Sequence, residues 1–95
     1  MNPYRLYLVT DDQQDLETLK HVVKEAVAGG VTMVQVREKS GDIQSFIDRA
    51  QAIKTILKGT NVALIINDRV DVALAVDADG VHLGHKQVIL ALVEK

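Results

Sequence analysis

A chain of 95 residues has room for one domain and one modest hydrophobic core. Hydrophobic residues make up 47 % and charged residues 25 %, and the formal net charge of −2 argues against a general attraction to nucleic acid or to a membrane surface. Cysteine is absent, which excludes a disulfide framework, a thiolate metal site and a cysteine nucleophile.

The opening MNPYRLYLVTDD holds an apolar run too short for a signal peptide or a membrane span, so a cytoplasmic location is expected. Within it, Leu6–Thr10 (LYLVT) reads as a buried strand ending in Asp11-Asp12. Leu16, Leu19, Val22, Val23, Ala26 and Val27 then recur at helical spacing. Asp11, Asp12 or Asp15 is placed to cap that helix, and Gly29-Gly30 ends it. Val31–Arg37 is a second strand. After Ser40-Gly41-Asp42, a loop with a cap, Ile43, Phe46, Ile47, Ala50, Ile53 and Leu57 mark a second amphipathic helix that stops at Lys58-Gly59.

Val62–Ile66 (VALII) is almost wholly apolar, as a strand covered on both faces would be. Arg69–Val76 reads as a short helix with Asp68 as its cap, and Val81–Leu83 follows the Asp79-Gly80 turn as a fourth strand. The order βαβαβαβ implies parallel strands with right-handed crossovers in a single domain over residues 1–95. AGGVTMV (28–34) and ADGVHLG (78–84) echo one another, each running from a helix-ending glycine into a strand. The tail Val88–Val93 (VILALV) suits a last helix or a strand. A helix is the expectation, because a parallel strand directly after VHLG would need a crossover with no room for it.

Ligands of parallel α/β folds bind beyond the C-terminal ends of the strands. Four polar clusters lie at such ends: Thr10-Asp11-Asp12, then Gln35/Arg37/Lys39, then Asn67-Asp68, then His82 and His85. In VQVREK (34–39), Gln35, Arg37 and Lys39 sit two apart and so share one strand face. Arginine offers a fork of donors to phosphate oxygens and lysine adds a point charge. Asn67 can orient a substrate by hydrogen bonds, and Asp68 is the hard oxygen ligand that Mg²⁺ prefers. The combination describes a site for a phosphorylated small molecule with a metal. The plainer reading stays open beside it: Arg37 and Lys39 pairing with Glu38 or Asp42 at a wet strand end, Asp68 only a helix cap, His82 a packed histidine. No G-x-G-x-x-G, Walker sequence or nucleophile elbow occurs.

YLVTD (7–11), GGVTMVQVREK (29–39) and IINDRVDVALAVDADGVHLG (65–84) closely resemble thiamine phosphate synthase, over roughly residues 4–84; the related thiazole tautomerases match less well. The resemblance implies a TIM-type barrel that joins hydroxymethylpyrimidine pyrophosphate to a thiazole phosphate, with Mg²⁺ and loss of pyrophosphate through a pyrimidine carbocation. By motif, Gln35, Arg37, Lys39 and Asn67 match the residues that hold the pyrimidine pyrophosphate; Arg37, Lys39 and Asn67 are the catalytic candidates, and Asp68 matches one metal ligand. Where the family continues with Gln, a variable residue and a second metal carboxylate, this chain has His85, Lys86 and Gln87. Gln87 is neutral and Lys86 would repel a cation, and the tail 85–95 is expected to diverge.

A full barrel takes about 250 residues, so the expected architecture is a (βα)4 half of a TIM-type barrel, with an open flavodoxin-like parallel sheet as the alternative. Half a barrel leaves its first and fourth strands unpaired, and a homodimer is expected to complete eight strands, strand four of one copy beside strand one of the other. The expected function is that of thiamine phosphate synthase. The alternative is a catalytically inactive truncated or engineered half-barrel that retains at most phosphate or pyrophosphate binding. No nucleic-acid or membrane partner is expected.

Overall fold

The computed structural model describes residues 6–39, 42–83 and 88–91. In chain order these form β1 (Tyr7–Val9), α1 (Leu16–Ala28), β2 (Met33–Val36), α2 (Ile43–Leu57), β3 (Ala63–Asn67), α3 (Val70–Ala75), β4 (Gly80–Leu83) and β5 (Val88–Ala91). Short polar side chains set the helix starts. Asp15 Oδ1 accepts from the Thr18 N–H at 2.8 Å, and Asp42 Oδ1 accepts from the Ser45 N–H at 2.8 Å. The Thr18 bond holds the Asp15 carboxyl below its ordinary range. Of the three aspartates offered as caps of α1, Asp15 takes the role. Gly29 is the C-cap of α1, and Gly30 follows at φ +99°, where a side chain would be strained.

The first four strands pair in parallel and in sequential order, β1-β2-β3-β4. Buried residues of the helices (Leu19 and Val23 from α1, Phe46, Ala50 and Ile53 from α2, Val72 from α3) join Val34, Val36, Leu64, Ile66 and Val81 in one cluster. These strand residues share one parity, so all three helices cover one face of the sheet. Sequential order and one-sided helices are the half-barrel arrangement. A flavodoxin-like sheet has order 2-1-3-4-5 and helices on both faces, and is excluded. The other face carries Tyr7, Val9, Met33, Gln35, Ile65, Asn67 and His82, and would be the inside of a barrel.

Two expectations are corrected. Val88–Ala91 is a strand, not part of a last helix, and it pairs antiparallel with β4, Leu83 opposite Val88 and Gly80 opposite Ala91. A crossover is needed only for a parallel return; an antiparallel return needs none. The fourth unit therefore has no helix among the described residues, and β5 occupies the edge of β4 that a partner's first strand was expected to take. Secondly, Asp68 does not cap α3. Arg69 holds the N-cap position and makes no side-chain capping bond, while Asp68 sits one step earlier at φ +63°.

Candidate functional site

Parity places the polar residues of the inner face. Val34 and Val36 are buried under the helices, so Gln35 projects to the opposite side. Asn67 ends β3 on that same side, paired in register with His82 of β4. The three side chains form a hydrogen-bonded row across adjacent strands. Asn67 Nδ2 donates to Gln35 Oε1 at 2.9 Å and lies 3.3 Å from His82 Nδ1. Gln35 Nε2 and Asn67 Oδ1 have no protein partner among the described residues, and no buried side-chain nitrogen or oxygen there is unsatisfied. A donor and an acceptor thus face open space side by side. His82 was only a minor candidate by sequence; its alternation with Val81 and Leu83 was the one signal that it faced inward.

Beyond the end of β2, the connection carrying Arg37, Glu38 and Lys39 is sutured to the one after β1. The Thr10 N–H donates to Gln35 O at 2.9 Å, and the buried Thr10 hydroxyl accepts from the Arg37 N–H at 3.4 Å. Asp12 Oδ2 accepts from the Lys39 N–H at 2.8 Å. Asp11 turns to the Gln13 N–H at 2.9 Å. The acidic groups expected to neutralise Arg37 and Lys39 are engaged elsewhere. Glu38 is bound to Arg49 Nε at 2.9 Å, and Asp42 caps α2. Among the described residues neither the Arg37 guanidinium nor the Lys39 ammonium has a hydrogen-bonding or ion-pair partner. Sequence spacing did not identify Arg49 as the partner of Glu38, because the two are joined only when α2 packs on the sheet.

Asp68 follows Asn67 at the same rim, and its N–H donates to His82 O at 2.8 Å. Its left-handed backbone is tolerable for aspartate and is common at binding loops. It supplies one hard oxygen donor. No three His, Asp or Glu side chains among the described residues converge into a metal site; Asp68 alone would be one of the one or two carboxylates through which Mg²⁺ is ordinarily held beside substrate phosphates. Gln87, in the second metal position by resemblance, and His85 lie outside the described residues. A depression of about 750 Å³ lies at the other end of the sheet, around the start of β3 and the end of α2. Its polar groups hold the fold: Lys54 Nζ donates to Val76 O and Asp77 O, and Asp79 Oδ2 accepts from the Leu64 N–H. No described helix is long and apolar enough to cross a membrane.

Comparison with known proteins supplies the ancestry of this rim. The family model described as thiamine monophosphate synthase matches residues 6–95. Over 88 residues the chain is 80 % identical to the thiamine-phosphate synthase of Vibrio parahaemolyticus, covering 93 % of this chain and 43 % of that protein. Over 93 residues it is 52 % identical to the thiamine-phosphate synthase of Ruminiclostridium cellulolyticum, covering 97 % and 44 %. Among solved structures, thiamine phosphate pyrophosphorylase from Pyrococcus furiosus superposes with a TM-score of 0.72 at 33 % identity, covering 88 % of this chain and 41 % of that one. The chain spans less than half the length of these relatives. By sequence along nearly all its length, and by the half-barrel those residues build, it belongs to the thiamine monophosphate synthase family.

Proposed function

We propose that the C-terminal rim of β2 and β3 binds the pyrophosphate group of a phosphorylated small molecule, as one half of a cytoplasmic thiamine phosphate synthase site. The observation that supports it is the pair of cations, Arg37 and Lys39, left without protein partners among the described residues while Glu38 and Asp42 are bound elsewhere. Arg37 would take two phosphate oxygens with its fork and Lys39 would add a point charge. Negative charge grows on a departing pyrophosphate, and fixed cations stabilise it most at that stage. The donor of Gln35 and the acceptor of Asn67, held in place by their mutual bond and by His82, would orient the organic part of the substrate.

Calorimetric titration with inorganic pyrophosphate tests the reading. The wild type is expected to bind, and Arg37→Ala to weaken binding by about ten- to a hundredfold, the weight of a hydrogen bond to a charged group. Equal affinity of the two proteins, or no binding by the wild type, removes it. Formation of thiamine phosphate by the purified chain separates the enzyme from a half-barrel that only binds.

The homodimer needs a different seam from strand four. Among the described strands β1 has an unpaired edge, and Tyr7 and Val9, on the sheet face away from the helices, are about half exposed beside it, at 54 % and 52 %. A second copy would pair its own β1 along that edge about a two-fold axis. Sedimentation is expected to show a dimer at micromolar concentration and a monomer for Tyr7→Lys; a folded wild-type monomer overturns the assignment.

A further inference from the structure

Glu38 stands between the two cations of the proposed anion site. A carboxylate free to turn toward them would pair with either and would repel an incoming pyrophosphate. In the structure it is turned away. Its side chain is only 4 % exposed, and Oε2 accepts from Arg49 Nε at 2.9 Å. Arg49 comes from α2. Its Nη2 also donates to Gln14 O at 2.8 Å and to Asp11 O at 3.4 Å. One guanidinium therefore ties α2 to the connections that follow β1 and β2. Its bond to Arg49 of α2 places Glu38 on the helix side, and Arg37 and Lys39 flank it in sequence just past the end of β2.

We propose that Arg49 is a positioning residue for the anion site: it holds the Glu38 carboxylate on the helix side of the sheet and so keeps Arg37 and Lys39 unpaired for a pyrophosphate-bearing ligand. The assignment rests on the anion-binding reading and adds to it a residue that touches no ligand. Asp12 assists by fixing the backbone of Lys39. Burial raises the Glu38 carboxyl above its ordinary range even with Arg49 pulling the other way, so a released Glu38 gains by moving toward water. The nearest groups awaiting it in sequence are the two cations on either side.

Pyrophosphate titration of the wild type, Glu38→Gln, Arg49→Met and the double variant tests this, at a temperature where circular dichroism shows each protein folded. Arg49→Met is expected to bind about tenfold more weakly, the weight of one charged interaction. Glu38→Gln is expected to bind at least as tightly as the wild type. The double variant is expected to recover most of the loss, because a released amide does not quench the cations. A purely structural role predicts the opposite, the double variant staying as weak as Arg49→Met. That result overturns the proposal and leaves the anion site standing, as does wild-type affinity in Arg49→Met or a clear loss in Glu38→Gln alone. Should Arg49→Met not fold, Arg49→Gln, which keeps a donor for the Gln14 carbonyl, enters the same comparison. No pyrophosphate binding by the wild type overturns the anion reading and this assignment with it.

Discussion

Replacing Arg49 by methionine is expected to lower the unfolding free energy by about 3 kcal/mol at neutral pH, because it strands a buried carboxylate. Glu38 is almost fully enclosed and Arg49 only 14 % exposed, so water cannot easily replace the lost partner. Methionine keeps most of the aliphatic stem, so packing changes little. The effect has a pH signature. Burial already raises the Glu38 carboxyl in the folded chain, and loss of Arg49 raises it further. Between the ordinary glutamate value and the raised one, the folded chain keeps a proton that the unfolded chain has released. Stability therefore falls as pH rises through that window, and it is regained as pH drops to the ordinary value. The deficit of the variant against the wild type should shrink as pH falls toward about 4. The lowered Asp71 carboxyl is common to both proteins and cancels in the difference; Asp15, lowered mainly by its Thr18 bond and least by Arg49, loses only that smallest contribution, and in the same sense. Urea unfolding at the two pH values checks this. A deficit that does not change with pH would place the cost in the lost bonds to Asp11 and Gln14 instead.

Ile66→Ala is expected to cost about 3 kcal/mol, in the range for emptying a fully enclosed isoleucine site. Ile66 is 0 % exposed and lies on the central strand β3, under the helices. It is flanked in register by Val36 and Val81, which are themselves buried, so the cavity has no side that can collapse freely. For a domain of this size such a loss is a large part of the total stability. The urea midpoint should drop with little change in slope. Leu74 on α3 is 65 % exposed, and Leu74→Ala should move the midpoint hardly at all. Equal effects at the two positions would mean that the sheet and helices are not packed as described.

Much of this architecture was legible along the chain. Val34, Val36, Leu64 and Ile66 lie at strand spacing, Leu19, Val23, Phe46, Ala50 and Ile53 at helical spacing, and Asp15, Asp42 and Gly29 mark boundaries. These are local signals, and local chemistry produces them. The tail does not declare its own structure, because Val88–Ala91 is too short for its periodicity to decide. What decides is the exposed edge of β4, a feature of the folded sheet that lies outside the segment itself. The place of Asp68 is hidden from the sequence for a related reason. A cap depends on one backbone conformation, and Asp68 at φ +63° lies one residue outside it.

The candidate site divides along the same line. Period-two alternation by itself put Gln35, Asn67 and His82 on one face of the sheet, because strand geometry allows little else, and chain order put Arg37, Lys39 and Asp68 just past the ends of those strands. Only the tertiary structure decided which charges remain available. Pairing energies depend on distance and burial, and those are set when α2 packs against the sheet. That packing gives Glu38 to Arg49, leaves Arg37 and Lys39 without an ion-pair partner among the described residues, and links Gln35, Asn67 and His82 across three strands.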